Sequence, residues 1–101
     1  MVVEYIRYRI PDERQGRFEA AYGDAAASLD ASEHCLAYEL SHGVEEPERY
    51  ILRIEWDSLD GHEQGFRRSP EFQPFLAAVR PFIDDIEEMR HYGVIPIGTS
   101  R

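Results

Sequence analysis

The sequence predicts an α+β domain in the order βαββαβ, with a four-stranded antiparallel sheet and two helices on one face. Three observations carry this. Four segments alternate apolar and polar residues with period two, two segments between them repeat apolar residues at helical spacing, and the connections are short. With right-handed crossovers, that order closes into a single split βαβ arrangement.

Val2 to Ile10 alternates, with Ile6, Tyr8 and Ile10 on one face and Tyr5, Arg7 and Arg9 on the other. Pro11 stops this strand, and Asp12 is placed to cap the next segment. There Phe18, Tyr22, Ala25 and Leu29 recur at helical spacing, and the alanines offset the weakening by Gly16 and Gly23. His34 to Ser41 alternates again. HGVEEPER supplies turn residues, and Tyr50 to Trp56 completes a β-hairpin. Ser58 predicts the cap of a short helix carrying Leu59, His62 and Phe66 on one stripe. Ser69-Pro70 restarts a helix with Phe72, Phe75, Leu76 and Val79 as its apolar stripe, and Arg80-Pro81 breaks it. Ile86 to Ile95 reads as the last strand. The domain therefore runs over residues 1–95, and 96–101 form an irregular tail, PIGTSR.

Composition narrows the function classes. A hydrophobic fraction of 43% with 12% aromatics is ample for a packed core. A net charge of −9 repels polyanions, so nucleic acid and anionic membrane are not expected partners. The start, MVVEYIRYRI, is strand rather than signal peptide, and no apolar run approaches the length of a membrane span. The single cysteine, Cys35, excludes an internal disulfide and fits a reducing cytoplasm. Lysine and asparagine are both absent. Their A-rich codons point to a GC-rich bacterial genome, and without lysine there is no Schiff-base chemistry.

A four-stranded sheet with helices on one side leaves the other side to be explained. The stripe Ile6, Tyr8, Leu36, Tyr38, Leu40, Leu52, Ile54 and Trp56 is the more apolar and is expected under the helices. The opposite stripe holds Tyr5, Arg7, Cys35, Ala37, Glu39, Ile51, Arg53 and Glu55. It is too apolar for an ordinary wet surface, yet it carries complementary charges such as Glu39 and Arg53 across the hairpin. Such a face suits a second copy of itself, so Arg7, Ala37, Glu39, Ile51, Arg53 and Glu55 are the expected homodimer interface. The alternative is a solvated face with incidental ion pairs.

The strand order, CLAYEL followed by PERYILRIEWDS, and the helix pattern GFRRSPEFQPF together resemble the antibiotic biosynthesis monooxygenase family over about residues 2 to 93. That resemblance implies ferredoxin-like subunits whose sheets pair into a dimeric α/β barrel, each with a cavity between its own sheet and helices. Some members oxidise polycyclic phenols to quinones with molecular oxygen and no metal or flavin, which implies a small aromatic substrate and no cofactor. Such chemistry needs a base for the phenolic proton and a dry pocket. Members that degrade haem use an asparagine and an iron-ligating histidine beyond the tryptophan. Here there is no asparagine, and Phe75 and Leu76 stand where a histidine would, so that reaction is not implied.

His62 is the candidate base, with the ordinary imidazole pKa near neutrality. Many members place a histidine near the position of Phe66, and His62 lies one turn earlier. Trp56, Tyr8, Tyr22, Tyr38 and Phe66 are the candidate substrate-binding walls, and Arg67 the attractor of an anionic substrate. Each has a packing role as its alternative: tryptophan at a strand end fills corners, and tyrosines populate amphipathic cores. His34-Cys35 does not make half a metal site, because successive strand residues face opposite ways. His91 suits the interface as well as catalysis. Two other functions fit the same features: a non-catalytic dimeric ligand-binding or partner module serving a haem or redox protein, and a muconolactone-type isomerase.

Overall fold

In the computed structural model, which describes residues 1–101, β1 spans Val2–Arg9, α1 Asp12–Ala31, β2 Cys35–His42 and β3 Arg49–Trp56. A π-helical turn, Gly61–Gly65, and a 3-10 turn, Phe66–Arg68, lead to α2, Phe72–Val79. A second 3-10 segment, Arg80–Asp85, feeds β4, Ile86–Gly93. The strands form one open antiparallel sheet in the order β2-β3-β1-β4, the ferredoxin-like arrangement expected from the alternation.

The core lies between the sheet and the helices. Phe18 of α1 is fully enclosed, with ring centroids 4.8 Å from Tyr8, 4.7 Å from Tyr50 and 5.2 Å from Phe82. Edge-on and tilted aromatic pairs of this kind contribute about 0.5–1.5 kcal/mol each beyond their buried area. Ile6, Leu52, Ile54 and Trp56 complete the apolar floor.

Local details depart from the sequence pattern for identifiable reasons. Pro11 rather than Asp12 stands at the N-cap of α1, without a side-chain cap. Asp12 instead contributes its charge to the first turn, where the helix dipole favours it. Ser58 does cap, accepting from the Gly61 N–H at 2.8 Å. Ser69 does not: its hydroxyl donates back to the Phe66 carbonyl at 2.7 Å, and α2 starts only at Phe72. Arg80-Pro81 narrows the helix to a 3-10 segment instead of ending it. β4 stops at Gly93, leaving Val94 and Ile95 exposed rather than paired.

The largest departure is in β2. Cys35 pairs with Trp56, but Ala37 pairs with Glu55, so the register shifts between them. This bulge turns Cys35 toward the helix-covered side, where it packs against the core. Leu36 is displaced into solvent at 56% exposure, against the expected burial. Beyond the bulge, Tyr38 and Leu40 return to the helix side opposite Ile54 and Leu52, but on an edge strand they are only half-covered. On the other face, Arg7 pairs with Glu88 at 3.5 Å, and Tyr5 meets Tyr92 edge-on at 5.6 Å. Glu39 stands opposite Arg53 as expected, yet Arg53 bonds Glu55 at 2.7 Å instead.

Candidate active site

Between the sheet and α2 lies a half-open cavity of about 460 Å³, within the range of small-molecule sites. Most of its wall is apolar, including Phe72, Phe75, Leu76, Val79 and Met89. Trp56, Tyr8, Tyr22, Phe66, His62 and Arg67 all line it, so six of the seven residues singled out in the sequence meet in one place. Tyr38 stands apart. Its hydroxyl donates to Asp30 at 2.7 Å over a separate shallow depression, because the edge position of β2 lies beyond the reach of α2.

The polar end of the cavity was only half foreseen. His62 is carried inward by the π-helical turn and stacks on Trp56, with centroids 4.5 Å apart and planes 12° from parallel. Gly61 and Gly65 make this approach feasible. A Cβ on Gly61 would sit 1.8 Å from Asp57 Oδ1, and one on Gly65 would sit 2.4 Å from His34 Cδ2. His34 Nδ1 and Asp57 Oδ2, 2.9 Å apart, thereby brace the turn from outside.

Two further residues join His62. Glu4 of β1 is 1% exposed, and its Oε1 accepts from the Trp56 Nε1–H at 3.1 Å. His91 of β4 lies opposite Glu4 in the register, and its Nε2 is 2.7 Å from His62 Nδ1, so one imidazole N–H donates to the other ring. Glu4 Oε1 lies 3.6 Å from His62 Nε2, and Glu4 Oε2 lies 3.8 Å from His91 Nε2. The structure thus brings a carboxylate and two imidazoles together on an otherwise greasy wall. Glu4 was legible in principle: it occupies the same alternation stripe as Ile6 and Tyr8, where a carboxylate is out of place.

Burial sets the protonation of this cluster. It raises the Glu4 carboxyl to about 7, against smaller lowering effects from the Trp56 hydrogen bond and the Arg67 charge. It drives His62 down to about 3, helped by Arg67 and His91, so the ordinary imidazole value expected from the sequence does not hold. His91 is lowered as well, again chiefly by burial. Tyr8, bonded to the Tyr22 hydroxyl, is pushed up to about 12 by burial, and Tyr22 is raised too; both stay neutral donors.

These shifts oppose each other in stability. Glu4 holds its proton more tightly when folded, so its contribution is full below its unfolded value of 4.5 and is lost as pH rises through about 7. His62 contributes above 6.5, and that contribution is lost as pH falls toward about 3. In chelator-treated protein, the unfolding free energy of the native chain relative to Glu4→Gln is therefore expected to decline from pH 4.5 to 7. Its slope approaches about 1.4 kcal/mol per pH unit for one proton. Denaturant titration across that range measures it, and a flat difference would contradict the raised carboxyl.

The open four-stranded sheet and its covering helices define a ferredoxin-like α+β protein, with an apolar cavity between the two layers. The antibiotic biosynthesis monooxygenase family model matches residues 1–78, and the chain belongs to that family. It is 30% identical over 92 residues to the uncharacterized protein YczJ of Bacillus subtilis (strain 168), covering 91% of this chain and 97% of that one. Among solved structures, a Bordetella bronchiseptica protein carrying the family's name superposes with a TM-score of 0.76 at 25% identity, covering 93% of this chain and 96% of the other. A conserved protein of Methanosarcina mazei Go1 also reaches 0.76 at 19% identity, covering 90% and 89%, a likeness of fold alone.

Proposed function

We propose that the protein is an oxygenase of small phenolic aromatic compounds, and that its own side chains supply the base without a bound cofactor. The observation that carries this is the buried Glu4 carboxylate, joined to Trp56 and flanked by His62, in the wall of a largely apolar cavity rich in aromatic side chains. Magnitudes choose between the candidate bases. An ordinary phenol near pKa 10 is uphill by roughly 4 kcal/mol for a base at 7, but by roughly 10 kcal/mol for one at 3. Glu4 is therefore the base, and neutral His62 positions the substrate oxygen by hydrogen bonding.

The phenol gives its proton to Glu4, and the resulting phenolate transfers one electron to molecular oxygen. The radical pair recombines to a carbon-bound peroxide anion, which takes the proton back from Glu4 to become the hydroperoxide and restores the carboxylate. Loss of water, made from one oxygen atom, the peroxy proton and the ring hydrogen, leaves the quinone. Arg67 steadies the phenolate charge, while Trp56, Phe66 and Tyr8 hold the ring. Oxygen uptake and absorbance recorded together on hydroxylated naphthalenes and anthrones test the reading. Stoichiometric oxygen loss with quinone appearance is expected; base-dependent conversion without oxygen uptake would instead assign an isomerase.

The same reading includes a homodimer through the exposed sheet face, with Arg7, Ala37, Glu39, Ile51, Arg53 and Glu55 in the contact. Ile51, half-buried on β3, stands between Arg7 of β1 and Ser41 of β2 on that face. Ile51→Arg adds an unpaired charge to a self-complementary surface, where it meets its own symmetry mate. Sizing chromatography is expected to show the dimer for the native chain and a monomer for the variant. Equal elution volumes would place the contact elsewhere.

A further inference from the structure

The three side chains at the polar end of the cavity come from three different elements: Glu4 from β1, His62 from the π-helical turn and His91 from β4. Their nitrogen and oxygen ligand atoms all lie within 4.8 Å of one another. Ligands held about 2.0–2.1 Å from a divalent ion stand about 3.0–3.4 Å apart around it. The separation of 2.7 Å between His62 Nδ1 and His91 Nε2 lies just below that range, and the 3.8 Å from His91 Nε2 to Glu4 Oε2 just above it. The widest pair of the cluster lies within 4.8 Å, so seating an ion draws those ligands together by up to about 1.4 Å.

Other features of the cluster suit an ion as well. The short contact between the two rings needs one N–H, and an ion bound to both nitrogens takes that proton's place. Trp56 Nε1–H holds Glu4 Oε1 at 3.1 Å and leaves Oε2 turned to His91, the outer hydrogen bond that orients a ligating carboxylate. Glu4 and His62 are buried, whereas the side facing the cavity is open for further coordination. The neighbouring charges are Arg67, which opposes a cation, and Glu63, which offsets Arg67; the anionic Glu4 leaves the balance negative.

We infer that Glu4, His62 and His91 form a binding site for a divalent first-row transition ion, with the remaining coordination positions opening into the cavity. Two imidazoles and one carboxylate suit zinc, iron, cobalt or nickel, not calcium or magnesium, which require oxygen-rich cages. This goes beyond the cofactor-free reaction proposed above. An ion on Glu4 occupies the lone pairs that accept the phenolic proton, so zinc loading stops that reaction.

The test uses the full chain stripped by a chelator and titrated with Co²⁺ by visible absorption and with Zn²⁺ by calorimetry. One ion per chain is expected, with cobalt ligand-field bands and micromolar or tighter zinc affinity. His91→Ala, at a partly exposed β4 position, and Glu4→Gln, which preserves side-chain shape, are each expected to weaken binding by about tenfold or more. His42→Ala, in the hairpin, is expected to leave it unchanged. Millimolar affinity in the native chain, or undiminished affinity in folded Glu4→Gln, overturns the site. Oxygen uptake by the stripped protein is scored separately. Binding without turnover sinks only the oxygenase reading, and turnover without binding sinks only the ion site.

Discussion

Glu4→Gln is expected to lower oxygen-dependent turnover of a phenolic substrate by roughly 100- to 10,000-fold, the usual contribution of a positioned general base. Glutamine keeps the size of the side chain and still offers a carbonyl oxygen to Trp56 Nε1–H, so the cavity wall survives. What it loses is the site for the proton. The variant should also be no less stable than the native chain above pH 7, because it removes a buried charge that burial penalises. A fall in rate with undiminished stability separates a chemical role from a structural one. Steady-state oxygen uptake alongside denaturant unfolding measures both, and an unchanged rate in a folded variant would remove Glu4 as the base.

Trp56→Ala is expected to carry the largest stability loss. The indole is 0% exposed, stacks on His62, packs on Phe66 with centroids 5.2 Å apart and donates to Glu4. Truncating a fully buried aromatic to alanine costs about 3–5 kcal/mol, and the lost N–H removes the only donor recorded to Glu4. In a domain of this length about 4–8 °C of melting temperature accompanies each kcal/mol, so a drop of about 12 °C or more is expected by circular dichroism. Trp56→Phe keeps much of the packing and should lose less. A shift of only a few degrees in Trp56→Ala would mean that the corner collapses around the gap.

Much of the fold was readable because alternation and helical spacing are local signals. Phe18, Tyr22, Ala25 and Leu29 mark the buried stripe of α1 directly, and Leu52, Ile54 and Trp56 mark the covered face of β3. The β2 bulge was not readable, since the register of Cys35 and Ala37 depends on β3 rather than on neighbouring residues. For that reason Leu36 was placed on the wrong side. Leu59, His62 and Phe66 share a stripe at ideal helical spacing, yet the π-helical turn rotates them, burying the last two and leaving Leu59 43% exposed. The site divides the same way. Trp56, His62 and Phe66 lie close in sequence and were found together, whereas Glu4 and His91 reach them only through the β1–β4 pairing, with its own irregularity between Arg7 and Tyr8. A carboxylate in an apolar stripe was the available sign of Glu4.

The bulge in β2 also decides how the lone thiol behaves toward reagents. With Cys35 rotated against the core, burial raises its pKa, and only a small fraction is thiolate at neutral pH. Alkylating dyes are therefore expected to react slowly with the native chain, and spectroscopic labels are better attached to a cysteine introduced in the exposed tail, as in Ser100→Cys. Oxidative cross-linking through this sulfur in air is likewise expected to be slow, which would make a reductant-free buffer practical.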